Sequence, residues 1–307
     1  MTQTPNAPVN VVVAMDFDDA ILARLRAVSP RLVVERHFPA VPDRAWHDAE
    51  VVYTASAFPT PEQAPRLRWI QLNNAGVEEA LKHPILKAQD IEVTNTSGIH
   101  AVQIAEYSLM MMLAFNYQLV RMVEAKERIE WPENPLAIYQ PMPLRGQTVG
   151  IVGYGSIGRE LARLAVSLGM TVLAARRDLL HPGQPLKYAE PDTGDPASDL
   201  PDRLYPMQAI ASMAKDCDFL LIACPLTRQT RHLINEDVLK AMKQTAVLIN
   251  VARGAVIDEA ALISALAAGR IGGAAAALVA GKTAPPPPPG SGPPEVPKHP
   301  HASRARA

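Results

Sequence analysis

The chain is 307 residues long, about two domains' worth at roughly 150 residues each, and 48% of it is apolar, enough for a sizeable core and too much for a wholly disordered chain. With 5 Phe, 3 Trp and 7 Tyr, that core must be built mostly from Ala, Val, Leu, Ile and Met. The charge balance, 30 basic against 31 acidic residues for a net −1, gives no global electrostatic reason to expect nucleic acid or an anionic membrane as partner.

The opening MTQTPNAPVN is polar and lacks the basic-then-apolar order of a signal peptide. Val9 to Met15 then reads as a buried strand, Asp18 to Val28 as a helix and Arg31 to Arg36 as a second strand. Val51 to Thr54, Trp69 to Leu72 and Ile91 to Thr94 are further short strands. Strand–helix alternation of this kind predicts a parallel, doubly wound sheet. Ile99 to about Lys126 reads as one long helix, with Met110 to Met112 leaving it almost no polar face. Such a helix is expected to be buried, either in ordinary core packing or at a subunit contact. The longest apolar stretch, Ser108 to Val120, is interrupted by Asn116 and Gln118. It falls short of the roughly 20 apolar residues of a membrane span.

A second alternating block starts at Gln147. Strands are predicted over Thr148 to Val152, Met170 to Ala174, Phe219 to Ala223, Ala246 to Val251 and Gly272 to Val279. Helices are predicted over Ser156 to Leu168, about Asn235 to Met242, and Asp258 to Ala268. The block as a whole is read as the six-strand sheet of a complete dinucleotide-binding unit. Residues 285–307 then hold nine prolines, five of them consecutive, which neither strand nor helix accommodates. Polyproline II or disorder is expected there. Cys217 and Cys224 are too few and wrongly spaced for a disulfide framework or a zinc site. A soluble, cytoplasmic protein is the expectation, with no metal.

The sharpest motif is TVGIVGYGSIGRELARLAVSLGM. A strand runs into Gly153-Tyr154-Gly155-Ser156-Ile157-Gly158, and a helix follows. Gly153 permits the tight turn, Gly155 lets backbone amides approach a pyrophosphate, and Gly158 lets helix and strand pack closely. The phosphates would sit on the helix N-terminus, at Ser156 and Ile157. An NAD site places an acidic residue about 20 positions on, for the ribose 2′-hydroxyl. Here the strand ends in Arg176-Arg177-Asp178, with Arg176 at the acidic position. Arginine suits a 2′-phosphate, so NADP is favoured over NAD. The other reading leaves Arg176 and Arg177 solvated and gives the ribose to Asp178.

Three runs, LRGQTVGIVGYGSIGRELARLAVSLGM, DFLLIACPLTRQTRHLIN and LINVARGAVIDEAALISAL, closely resemble the D-isomer-specific 2-hydroxyacid dehydrogenases. NNAGVEEA and VTNTSGIHAVQIAEYSLMMML fit the same family, and the resemblance extends over about residues 9 to 275. It implies two flavodoxin/Rossmann-like α/β domains, each with a doubly wound parallel sheet, and an active-site cleft between them. The domains are expected at residues 1–100 (substrate) and 101–280 (dinucleotide), with a Pro-rich tail at 281–307. It also implies hydride exchange between NAD(P) and C2 of a small 2-oxo or D-2-hydroxy acid, and a homodimer.

Arg253 follows the strand TAVLINV at the carboxyl edge of its sheet, where open α/β sheets bind ligands. A fixed guanidinium there can hold a substrate carboxylate and polarise the 2-oxo group. The resemblance assigns it that role; the alternative is a structural arginine closing its loop on a carboxylate such as Asp258. Asn74, Ala75 and Gly76 resemble the family loop whose amides receive the substrate carboxylate, the alternative being a plain turn. Cys224 and Pro225 match the stretch under the nicotinamide, and Val251 and Ala252 fall with the cofactor as well. Cys224 is then a packing residue, not a nucleophile.

The resemblance fails beyond residue 276. The family holds the proton-donating histidine with a glutamate, but Lys282 stands near the glutamate's position and Ala277 where an aspartate belongs. His301, in Pro300-His301-Ala302-Ser303, resembles the family's Pro-His and is the candidate acid; the other reading is a solvated tail histidine. A shifted reading frame would explain the lost motif and the proline tail together. The reading that follows is a dehydrogenase with an impaired site. Its rival is a non-catalytic dinucleotide-binding protein.

Overall fold

The computed structural model describes residues 7–88, 90–181 and 188–276. Ala277, Lys282, the tail at 281–307 and His301 lie outside the described residues.

The first five strands are β1 (Val9–Ala14), β2 (Leu32–Arg36), β3 (Val51–Thr54), β4 (Trp69–Leu72) and β5 (Glu92–Thr94). They form one parallel sheet in the order β2-β1-β3-β4-β5. Short apolar runs make its interior, with Val13, Val52 and Ile70 fully buried. Helices α1 (Asp19–Ala27) and α2 (Asp43–Asp48) connect them. The Asp18 carboxylate accepts from the Ile21 amide at 2.8 Å and so starts α1.

Residues 99–126 are not one helix. They divide into α3 (Ala101–Asn116) and α4 (Leu119–Glu127), separated by Gln118 in the left-handed region at φ 51°. The two amides that interrupt the apolar run find tertiary partners there. Asn116 Nδ2 donates to Gln147 Oε1 at 2.9 Å, and Gln118 Nε2 to the Tyr139 carbonyl at 2.6 Å. Nor is α3 buried all round. Ala101, Ala105, Ser108 and Met112 face inward, while Met110, Leu113 and Tyr117 are exposed. A short helix, α5 (Pro135–Tyr139), precedes the second sheet.

That sheet comprises β6 (Thr148–Val152), β7 (Thr171–Arg176), β8 (Arg203–Pro206), β9 (Phe219–Ile222), β10 (Val247–Asn250) and β11 (Gly273–Ala276). All are parallel, in the order β11-β10-β9-β6-β7-β8, the doubly wound dinucleotide-binding arrangement. The sequence reading located five of the six. The edge strand β8 eluded it because it has four residues, a single buried side chain (Tyr205) and a terminal proline. Helices α6 (Ser156–Ser167), α7 (Ile210–Ala214), α8 (Glu236–Ala241) and α9 (Glu259–Ala267) complete the fold. Helix α6 packs against α3 through Leu161, Ala162 and Ala165, all fully buried. Each large apolar side chain so buried contributes about 1.5–3 kcal/mol. No described helix is long and apolar enough to cross a membrane.

Candidate cofactor and substrate site

The strand order reverses between β6 and β9, and the loops leaving these two strands open a crevice there. Gly153 ends β6 at φ 102°, and a Cβ on it would lie 2.7 Å from the Cys224 amide nitrogen. Gly158 is equally confined, since its Cβ would come 2.9 Å from Ile151 Cγ2. Gly155 is the opposite case. A Cβ there would meet nothing within 4 Å, and Gly155 is the N-cap of α6 with no side chain occupying the cap. The N-terminus of α6 therefore has free space beside Gly155.

A cavity of about 290 Å³ extends from this turn. Gly153 and Gly155 line it with Arg176, Arg177, Cys224 and Pro225, so six predicted residues share one wall. Asp178 lines it too, but its carboxylate already accepts from the Leu180 and His181 amides at 3.0 and 3.1 Å. Thr230 Oγ1 donates to the Pro225 carbonyl at 2.6 Å and steadies that loop. Cys224 is 4% exposed, and burial pushes its thiol up to about 11. This is a packing environment, as expected from the sequence. The residues present fit a dinucleotide: a glycine turn, an open helix N-terminus and a basic adenosine end.

The Gly turn has a support that the sequence reading did not anticipate. The connection between β7 and β8 folds back over it, and the buried Tyr154 hydroxyl donates to Asp195 Oδ2 at 2.5 Å. Burial and then that hydrogen bond raise the Tyr154 pKa far above its ordinary value. Arg159 Nη1 donates to the Asp195 carbonyl at 3.0 Å, and the Gly194 amide to Glu160 Oε2 at 2.6 Å. Burial, then repulsion from Arg176, depresses the Arg159 guanidinium. The one sequence signal was the Gly194-Asp195-Pro196 turn in a long loop.

The second group forms between the two sheets. After β4, Asn73 to Gly76 turn away, and two residues beyond β5 hold them. Thr96 Oγ1 donates to the Asn73 carbonyl at 2.8 Å, and Asn95 Nδ2 to the Ala75 carbonyl at 3.0 Å. After β10, Asn250 ties the next turn. Its side chain accepts from the Ala252 amide at 3.0 Å and donates to the Arg253 carbonyl at 3.1 Å. Val251 and Ala252 are buried in that turn, and Arg253 emerges from it. Its guanidinium reaches Gly76, where a Cβ would collide with Arg253 Nη2. Arg253 pairs with Glu78, Nε to Oε1 and Nη2 to Oε2, each at 3.4 Å. Asp258 is not its partner; that carboxylate caps α9 by accepting from the Ala261 amide at 3.1 Å. Asn74 and Ala75 are exposed beside this junction. Glu78, Asn95 and Asn250 were not singled out from sequence, although Glu78 stands in the NNAGVEEA run itself.

A glycine-turn crevice at the point where the strand order of a six-stranded parallel sheet reverses defines a dinucleotide-binding protein. The profile of the D-isomer specific 2-hydroxyacid dehydrogenase NAD binding domain matches residues 109–303, more than half of the chain. The glyoxylate reductase of Thermococcus gammatolerans is 33% identical over 221 residues, 69% of this chain and 60% of that enzyme. The hydroxypyruvate reductase of Thermotoga maritima is 31% identical over 202 residues, 66% of this chain and 57% of that enzyme. The chain thus spans about 60% of the length of these curated relatives. A D-isomer specific 2-hydroxyacid dehydrogenase family protein from Aeromonas salmonicida superposes with a TM-score of 0.72 at 26% identity. That superposition covers 92% of this chain and 85% of the other. The chain belongs to the D-isomer specific 2-hydroxyacid dehydrogenase family.

Proposed function

We propose that this chain transfers a hydride between NAD(P) and C2 of a small 2-oxo or D-2-hydroxy acid. The observation that carries this reading is the meeting of Gly76 and Arg253, which come from different sheets and converge on one point. Amides of the Asn74–Gly76 loop would receive the substrate carboxylate. Arg253 would hold the same carboxylate and polarise the 2-oxo oxygen. Gly153, Gly155, Ser156, Ile157 and Gly158 would hold the pyrophosphate, with Cys224, Pro225, Val251 and Ala252 packing along the cofactor. A bound nicotinamide supplies the hydride.

NADP is the preferred cofactor in this reading. Arg176 lines the crevice, and its repulsion of Arg159 would be relieved by a phosphate beside it. The substrate domain is taken as residues 1–100 and the dinucleotide domain as 101–280, in a cytoplasmic enzyme. The exposed face of Met110, Leu113 and Tyr117 is the candidate homodimer contact. His301 is the candidate proton donor, though it lies outside the described residues. Lys282 stands near the position where a glutamate would orient it. General acid catalysis contributes about 10²–10⁴-fold, so turnover at least ~100-fold below a relative with both groups is expected.

The test is reduction of glyoxylate and hydroxypyruvate, followed by loss of NADPH or NADH absorbance. Arg253→Ala should lower kcat/KM by at least about tenfold, since a charged hydrogen bond left unmade costs about 1.5–3 kcal/mol. Unchanged kcat/KM with cofactor binding intact removes Arg253 from the mechanism. The absence of a carboxylate near Lys282, close to where the family's glutamate is expected, favours one second reading, a dinucleotide-binding protein without turnover. Tight NADPH binding with no reduction of any 2-oxo acid would establish it.

A further inference from the structure

We propose that Glu78 sets the charge selectivity of the acid site. It favours 2-oxo acids whose side chain is neutral or cationic, and it opposes those bearing a second carboxylate. The inference rests on the reading that Gly76 and Arg253 receive the substrate's C1 carboxylate.

Two side chains, those of Arg253 and Glu78, converge on Gly76. A Cβ there would collide with Arg253 Nη2 and lie 2.8 Å from Glu78 Oε2. Glu78 approaches the side-on edge of the guanidinium, Nε and Nη2, with both contacts at 3.4 Å. Nη1 donates to the Ala252 carbonyl at 2.9 Å. An arginine carries five N–H donors in a fixed fork, so the end of the fork retains capacity for a further acceptor. The ion pair is long, and its partners are 39% and 36% exposed, so solvent screens it. A short bidentate carboxylate can therefore share the arginine with Glu78 or displace it from one nitrogen.

Either way the Glu78 carboxylate stays in the junction, because its backbone is two residues from Gly76. A substrate that spends its C1 carboxylate on Arg253 releases the Glu78 charge from its partner, beside the rest of the molecule. Like charges brought together across a binding site oppose association, and opposite charges assist it. The sign of the effect therefore depends on the substrate side chain, which separates selectivity from a general loss of fit.

The experiment measures dissociation constants by calorimetry on the full chain saturated with NADP⁺, so no turnover is needed. Three acids are compared: pyruvate (neutral side chain), 2-oxoglutarate (second carboxylate) and 5-guanidino-2-oxopentanoate (cation). Glu78→Gln should strengthen 2-oxoglutarate relative to pyruvate by about three- to fivefold and weaken the guanidino acid by a similar factor. Glu78→Asp, which keeps the charge, should keep the wild-type order. Ratios unchanged within about twofold overturn the proposal. Loss of pyruvate binding in Glu78→Gln would make Glu78 a positioning residue for Arg253, and would also overturn it. If no acid binds the wild-type chain, the carboxylate reading of Gly76 and Arg253 fails, and the selectivity falls with it.

Discussion

Gly153 and Gly155 are two residues apart in one motif, yet substitution at each should fail in a different way. In Gly153→Ala the new methyl is aimed at backbone, 2.7 Å from the Cys224 nitrogen and 2.8 Å from the Ala223 carbonyl carbon, and neither can swing aside. The positive φ of 102° adds strain for any side chain. Backbone strain of this kind costs about 1–3 kcal/mol. Overpacking costs about 1–3 kcal/mol more. A total of about 2–6 kcal/mol is a large share of the about 5–15 kcal/mol that holds a typical protein folded. At a slope near 2 kcal/mol/M the urea midpoint should fall by about 1–3 M. In Gly155→Ala the methyl enters open space at φ −94°, so the midpoint should move by less than about 0.5 M. That methyl fills the approach to the α6 amides, and fluorescence titration should show NADPH and NADH binding at least about tenfold weaker. Equal destabilisation by both changes would refute this division of labour. So would undiminished dinucleotide affinity in Gly155→Ala.

Arg176→Asp should reverse the NADPH:NADH affinity ratio, and equal or tighter NADH binding by the wild-type chain would refute the 2′-phosphate assignment. Cys217 and Cys224 should resist iodoacetamide at pH 8 until the chain is denatured, because burial pushes their thiols up to about 12 and about 11. Rapid native-state alkylation would contradict that burial. The same burial makes the fold alkali-sensitive. Above about pH 9 the unfolded thiols lose protons that the folded thiols keep, so stability falls as pH rises toward 11. The loss is about 1.4 kcal/mol per pH unit for each thiol. It should diminish in Cys217→Ala and Cys224→Ala, measured as the pH dependence of the urea midpoint.

Much of the architecture was legible in the chain because it is locally encoded. The apolar β-branched runs at Val9, Val51, Thr148 and Val247, each followed by a turn or helical spacing, announce parallel strands buried on both faces. The glycines at 153, 155 and 158 serve a turn and a helix start whose parts are contiguous in sequence, so spacing alone carries the cofactor crevice. The place of Arg176 at the end of β7, on the crevice wall, was legible for the same reason, at a predictable distance along one strand–helix–strand unit. What the chain could not show depends on partners far away in sequence. The break at Gln118 is set by acceptors at Tyr139 and Gln147, which no periodicity within Ile99 to Lys126 can reveal. The edge strand β8 gains its conformation from β7 alone and needs few apolar residues. The pairing of Tyr154 with Asp195 joins residues 41 apart, and that of Arg253 with Glu78 joins residues 175 apart. Sequence supplies the chemical identity of such groups. Only the packing of two sheets decides which of them meet, because a charge–charge or hydrogen-bond contact is a property of distance and leaves no trace in the spacing of residues along the chain.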